Sequence, residues 1–337
     1  MPANKLLLSS SPHVFTGVST KRIMLAVIIA LSPSAIYGVV LYGINALLVI
    51  AVSIITAVVS EAAFRYITKQ DIRIGDLSAV VTGLLLALIC PPSIPLWMVA
   101  IGSFAAIILA KEFFGGLGAN PFNPALIGRG ILLMSFPAAM TSWHIPFKGI
   151  SDATSAATPL GLLKLGSSVA DVGAGLVRDG LTQSGDYAST LWTLFIGNRA
   201  GSIGEGSMLL ILLGFVFLLI VKVIPFVTSL AMALAAFLAA WLLGMDPIFA
   251  LLSGGLLFGA VFMVTDYSTS PMTPMGKVIF GAGAGILTIV IRRFGGYPEG
   301  VTYGILIMNA LSPFLDKLRM KKYGFVRPAK APKGAAK

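Results

Sequence analysis

Sulfur and imidazole ligands are nearly missing from this chain, whose 337 residues contain one cysteine, Cys90, and two histidines, His13 and His144. A lone thiol cannot close an internal disulfide. An iron–sulfur cluster takes about four ligands, so any cluster belongs to another chain or is shared with one. His13 lies in the N-terminal stretch and His144 in a long polar segment, which disfavours a bundle-bound haem with paired axial histidines. Charge is scarce as well: Asp, Glu, Lys and Arg make up 11% of the residues and hydrophobic types 57%. Soluble domains carry about 25% charged residues. Few charges and many long apolar stretches describe a polytopic membrane protein.

The charge that is present is unbalanced, with a formal net value of +11. Much of the excess lies in the tail from Lys317 through Arg319, Lys321 and Lys322 to Lys337, directly after the last apolar run. Basic residues beside a span mark the cytoplasmic side. The expected neighbours are therefore acidic lipid headgroups or a partner subunit, not nucleic acid. Residues 1–15 hold one lysine and no apolar core of signal-peptide length, so no cleavable signal is expected.

A span needs about 20 mostly apolar residues. Candidate runs fall near 22–42, 44–67, 76–91, 95–114 and 122–138, then near 207–224, 226–244, 247–264, 274–292 and 300–316. This divides the chain into an N-terminal segment 1–21, five spans over 22–138, a polar loop 139–206, five spans over 207–316 and a basic tail 317–337. Phe114-Gly115-Gly116 recurs as Phe294-Gly295-Gly296 at a separation of 180 residues, as do Pro91 with Pro271 and Gly75 with Gly255. With an odd number of spans per unit, a duplicated second half enters the membrane from the opposite side, as an inverted repeat. The matched breaks Pro91–Pro95 and Pro271–Pro274 read either as tight turns or as a site at the repeat interface.

Lys5, Lys21 and Arg22 precede the first span, and Arg65, Lys69, Arg73 and Lys111 occupy the second and fourth connections. That asymmetry predicts cytoplasmic termini and an outer-face loop 139–206. Arg292 and Arg293 fall on the outer side and run against the rule.

Within the loop, Asp152-Ala153-Thr154-Ser155-Ala156-Ala157-Thr158-Pro159-Leu160 is a Ser/Thr-rich island. Hydroxyl residues before a proline are ordinary loop chemistry, because Pro159 pushes Thr158 toward extended geometry. The stretch also resembles the signature at which a flavin transferase joins FMN through its phosphate to a threonine hydroxyl. On that resemblance Thr158 is the acceptor and Asp152, Ser155, Ala157, Pro159 and Leu160 complete the motif, with Ala156 standing where the usual pattern has glycine.

Gly115 to Ala125 ends one span and opens the next, with Asn123 suited to cap a helix and Pro124 to its first turn. Asn120, Asn123 and Arg129 either serve that turn or bind a flavin's carbonyls or a phosphate. Asp266 is an ion-coupling candidate, since an ionisable group among apolar runs is expensive without a role. Glu61, four residues before Arg65, reads as a salt-bridged residue at the water interface.

These features converge. From Ser11-Pro12-His13 and Thr20–Met24 onward, the chain resembles the D subunit of the Rnf ion-translocating electron-transport complex, and the related B subunit of the sodium-pumping NADH:quinone reductase. The resemblance rests on Gly115–Arg129, Asp152–Leu160, Thr265–Asp266 through Lys277, and Phe294 through Val301. It implies a ten-helix, all-α bundle with an inverted repeat similar to urea channels, in a bacterial or archaeal cytoplasmic membrane. It also implies a covalent FMN on the outer face, a second, noncovalent flavin (riboflavin or FMN), the A, B, C, E and G subunits of the Rnf complex as partners, and a flavin transferase for maturation. Electrons would pass from ferredoxin to NAD+ with Na+ or H+ moved across the membrane. The competing readings are a small-solute channel or transporter and a structural scaffold.

Overall fold

The computed structural model describes residues 19–72, 74–147, 158–166, 168–296 and 299–318. Among these, helices carry the fold and no β-strand occurs. The first half contains α1 (Thr20–Tyr42), α2 (Ile44–Ile67), α3 (Ser78–Leu88), α4 (Leu96–Ile108), α5 (Pro124–Ser135) and the single turn α6 (Pro137–Met140). The polar segment folds as α7 (Pro159–Lys164), α8 (Val169–Arg178) and α9 (Tyr187–Ile196). The second half contains α10 (Met208–Ile220), α11 (Phe226–Leu242), α12 (Pro247–Leu252), α13 (Leu256–Phe258), α14 (Pro274–Phe294) and α15 (Val301–Lys317).

Four stretches are long and apolar enough to cross a membrane, namely Thr20–Tyr42, Ile44–Ile67, Leu96–Phe114 and Pro274–Phe294. The chain is an all-α polytopic membrane protein. The other six runs give shorter or broken helices, including α10 of 13 residues and α11 and α15 of 17 each, and three depart furthest from simple spans. The run 76–91 yields only α3, whose 11 residues cover about 16 Å, half of a hydrocarbon core of about 30 Å. Almost every side chain of α3 is buried, so its hydropathy reflects a protein interior. The run 122–138 yields the 12-residue α5. The run 247–264 breaks at Ser253-Gly254-Gly255, where Gly254 has φ +65°, into α12, α13 and a π-helical turn over Gly259–Met263.

Packing runs in parallel in the two halves. In the first, α2 packs on α3 and α4, and α4 on α5; in the second, α11 packs on α12 and α14, and α14 on α15. Contacts of α1 with α10 and of α5 with α15 join the halves, and one buried apolar core runs through both. Gly214 lets α10 approach α1, since a Cβ there would stand 2.6 Å from the carbonyl oxygen of Ala30. The matched glycine pairs differ in detail: Gly115 and Gly116 adopt φ of 107° and 91°, whereas Gly295 has φ −75° and caps α14 in extended geometry.

The described part of the polar segment is a folded element. Ser168 and Asp171 form a capping box on α8, and Val172, Leu176 and Leu194 pack on Phe249 of α12. Tyr187 of α9 donates a hydrogen bond to Asp246 at 2.6 Å, tying that element to the start of α12.

Candidate functional site

Two polar sites lie between the halves, separated by an apolar layer. The first surrounds Thr158. Its backbone is extended (φ −62°, ψ 153°), as a residue before proline prefers. Its Oγ1 caps α7 by accepting from the Gly161 N–H at 3.0 Å. Pro159 and Leu160 are buried in the first turn. Thr158, Pro159 and Leu160 share a cleft with Arg199, Gly254, Glu205 and Glu299. Of the other motif residues, Asp152, Ser155 and Ala157 lie outside the described residues.

The guanidinium groups here are held by backbone. Arg199 donates to the carbonyls of Leu252, Glu205 and Gly254. Arg292 donates to those of Ala250 at 2.6 Å and Ser253 at 3.1 Å. Both reach into the break after α12, whose terminal carbonyls have no intrahelical partners. Arg292 is thus held inside the protein by these carbonyls.

Arg129 lies deeper on α5. It donates to the carbonyl of Ile89 at 2.5 Å, pairs with Glu299 and stands 3.8 Å from Glu205. It therefore joins the Thr158 side, through shared carboxylates, instead of the cavity that holds Asn120 and Asn123. Nothing adjacent in sequence foretold this, because Glu299 is 170 residues away.

The second site is a cavity of about 70 Å³ bounded by Asn120, Asn123, Asp266, Lys111 and Ser78 over an apolar floor that includes Leu85 and Phe262. Asn123 caps α5, accepting from the N–H groups of Ala125 and Leu126 at 3.1 and 3.4 Å. Asn120 donates to the carbonyl of Phe122 at 3.1 Å, while its Oδ1 is buried with no hydrogen-bond partner. Asp266 accepts from Ser268 and Thr269 at 3.1 and 3.2 Å. Consecutive residues face the two sites: Ala125 and Phe262 line this cavity, and Leu126 and Met263 line a smaller one beside Arg129 and Glu299.

Glu61 is not at the water interface. It is fully buried and pairs with Lys111 at 2.7 Å, with Arg65 at 3.6 Å. Lys111 also donates to Ser78 at 2.6 Å, and Arg65 bonds Glu112 through two nitrogens at 3.1 Å. Two acids and two bases neutralise one another, which lets the cluster remain buried. Lys111, Glu205 and Arg199 were the residues that local spacing missed, since their partners or carbonyls come from distant segments.

The pattern of the NQR2, RnfD, RnfE family matches residues 7–324. The chain belongs to this family. A relative from Clostridium ljungdahlii, named as the D subunit of a proton-translocating ferredoxin:NAD(+) oxidoreductase complex, is 46% identical over 93% of this chain and 94% of its own length. The Na(+)-translocating counterpart from Acetobacterium woodii is 40% identical over 97% of this chain and 98% of its own. The D subunit of an ion-translocating oxidoreductase complex from Stutzerimonas stutzeri is 39% identical over 91% and 92%. Family members at this level of identity thus carry names with different ions.

Proposed function

We propose that this chain is the flavin-carrying membrane subunit of a complex that couples electron transfer from ferredoxin to NAD+ with translocation of Na+ or H+. FMN is joined through its phosphate to Thr158, and a second, noncovalent flavin, riboflavin or FMN, binds at the side of Asn120 and Asn123, where the cavity of about 70 Å³ has to widen to admit it. The chain acts with the A, B, C, E and G subunits of the Rnf complex and is matured by a flavin transferase, in a lipid membrane with both termini cytoplasmic and Thr158 on the outer face.

The observation that carries the reading is the setting of Thr158, whose hydroxyl starts a helix and shares a cleft with the carbonyl-held guanidinium of Arg199, while Gly254 of the same cleft lies next to Arg292. Such groups stabilise a phosphoester's negative charge. Unsatisfied buried donors, Nε of Arg129 and of Arg292, remain at this end. At the other, the orphan Oδ1 of Asn120 suits a ring N–H or a ribityl hydroxyl.

When bound, flavins supply the electron transfer, and the protein sets position, solvation and potential. Thr158 anchors the phosphate. Arg199 and Arg292 hold positive charge beside it, and the Arg129–Glu299 pair closes the site from below. The layer containing Leu126, Phe258 and Met263 keeps water from connecting the two ends. Asp266, without a cation within 4 Å among the described residues, offers a negative charge for ion coupling.

The repeated packing of the halves favours an inverted repeat, while the buried layer between the cavities argues against an open solute channel. A denaturing gel of the chain, expressed with the transferase, tests the reading. A fluorescent band under ultraviolet light is expected; a dark band overturns it.

A further inference from the structure

Beside the Thr158 cleft lies a cavity of about 400 Å³, within the range that holds a ring-sized ligand. It is enclosed by α7, the turn Gly244–Asp246, α12 and the outer end of α14. Leu160 lines both it and the cleft of Thr158. At the boundary, a Cβ on Gly254 would stand 3.0 Å from Arg292 Nη2 and 3.6 Å from Leu160 Cδ2, so glycine there lets the backbone lie close to both side chains.

The lining combines apolar side chains, Leu160, Leu163 and Phe249, with cationic ones, Lys164, Arg292 and Arg293, and Lys164 also donates to the carbonyl of Gly295. The carboxylate in the wall, Asp246, is already engaged: one oxygen accepts from the N–H groups of Ile248 and Phe249 at 3.0 Å, the other from Tyr187. Arg292 is buried, has no carboxylate within 4 Å among the described residues, and keeps its Nε without a partner. The carbonyls of Ala250 and Ser253 that hold it carry no net charge, and a buried guanidinium without a counterion is costly unless an anion meets it. A lining that combines apolar surface with cations suits a flat aromatic body that gains negative charge on reduction.

We propose that this cavity seats the flavin ring tethered at Thr158, and that Arg292, Arg293 and Lys164 set its redox potential by stabilising the negative charge acquired on reduction. The inference rests on the attachment at Thr158 and adds to it the place of the ring and the residues that tune it. Electrons come from the complex; these three side chains transfer none and supply only field.

The test uses the assembled complex. Charge removal at Arg293→Gln or Lys164→Gln is expected to shift the flavin's equilibrium toward the oxidised form by roughly tenfold each, which is about 59 mV for a one-electron couple. Arg292→Lys retains the charge and keeps the potential close to the parent's. Leu163→Trp fills the cavity, and iodide then quenches the displaced flavin's fluorescence more strongly. Gel fluorescence is read for every variant. A fluorescent band with unchanged potentials in both neutralised variants, or with unchanged quenching in Leu163→Trp, overturns the seat while leaving the attachment intact. A dark parental band overturns the attachment and the seat together.

Discussion

Arg129 of α5 and Glu299, just ahead of α15, pair across the boundary between the two halves, and the same guanidinium reaches Glu205 at 3.8 Å. The three side chains are 6%, 14% and 4% exposed, so the cluster is largely buried. Removing one partner of a buried pair leaves an uncompensated charge and costs about 3–5 kcal/mol. Arg129→Met should therefore lower the stability of the purified complex by an amount of that order. Adding Glu299→Gln should recover part of it, because one stranded carboxylate is then removed. Denaturation of the single and double variants checks this, and equal stability of Arg129→Met and parent would count against the cluster.

The bond from Tyr187 to Asp246 has a pH signature. That hydrogen bond, with some burial, pushes the phenol up to about 12, against an ordinary value of about 10. A group whose pKa is raised on folding contributes stability fully below its unfolded value, and that contribution falls as pH rises toward the folded one. The tie between α9 and α12 is thus complete at neutral pH and lost between about pH 10 and 12. Ultraviolet titration of tyrosinate should show a late phase from which Asp246→Asn moves one tyrosine toward about 10 and Tyr187→Phe removes one. No change of the late phase in either variant would contradict the assignment.

Asp266→Asn should leave insertion and the covalent flavin intact, since its carboxylate bonds groups of its own turn, the Ser268 and Thr269 hydroxyls among them. If its charge faces the moving ion, ion-coupled electron transfer falls by about tenfold, the scale of a coupling free energy near 1.4 kcal/mol. Full activity with unchanged ion dependence would reject the role.

Much of this arrangement could be read from local patterns. Asn123-Pro124 announces the α5 cap that forms, and Thr158-Pro159 announces the extended residue and helix start that the structure contains. Hydropathy found the apolar runs but could not separate α3, a short helix buried all round, from a span. The break carried by Ser253, Gly254 and Gly255 was hidden by the apolar residues on both sides. Charge partners were the least legible. Arg65 at helical spacing suggested a surface pair for Glu61, whereas the nearer partner is Lys111, 50 residues on. Arg129 likewise answers to Glu299 from the far half, not to the adjacent asparagines.

The central claim, FMN bound covalently at Thr158, is tested most directly by intact-mass spectrometry of the parent and of Thr158→Val, each expressed with the transferase. Valine keeps the size of the side chain and removes the hydroxyl. The hydroxyl's bond to the Gly161 N–H is lost too, a capping cost of about 1 kcal/mol, which the membrane fold should tolerate. The parent should carry the mass of one phosphoester-linked FMN, and Thr158→Val should carry none while still inserting in the membrane. Covalent flavin on Thr158→Val would place the acceptor elsewhere and contradict the account.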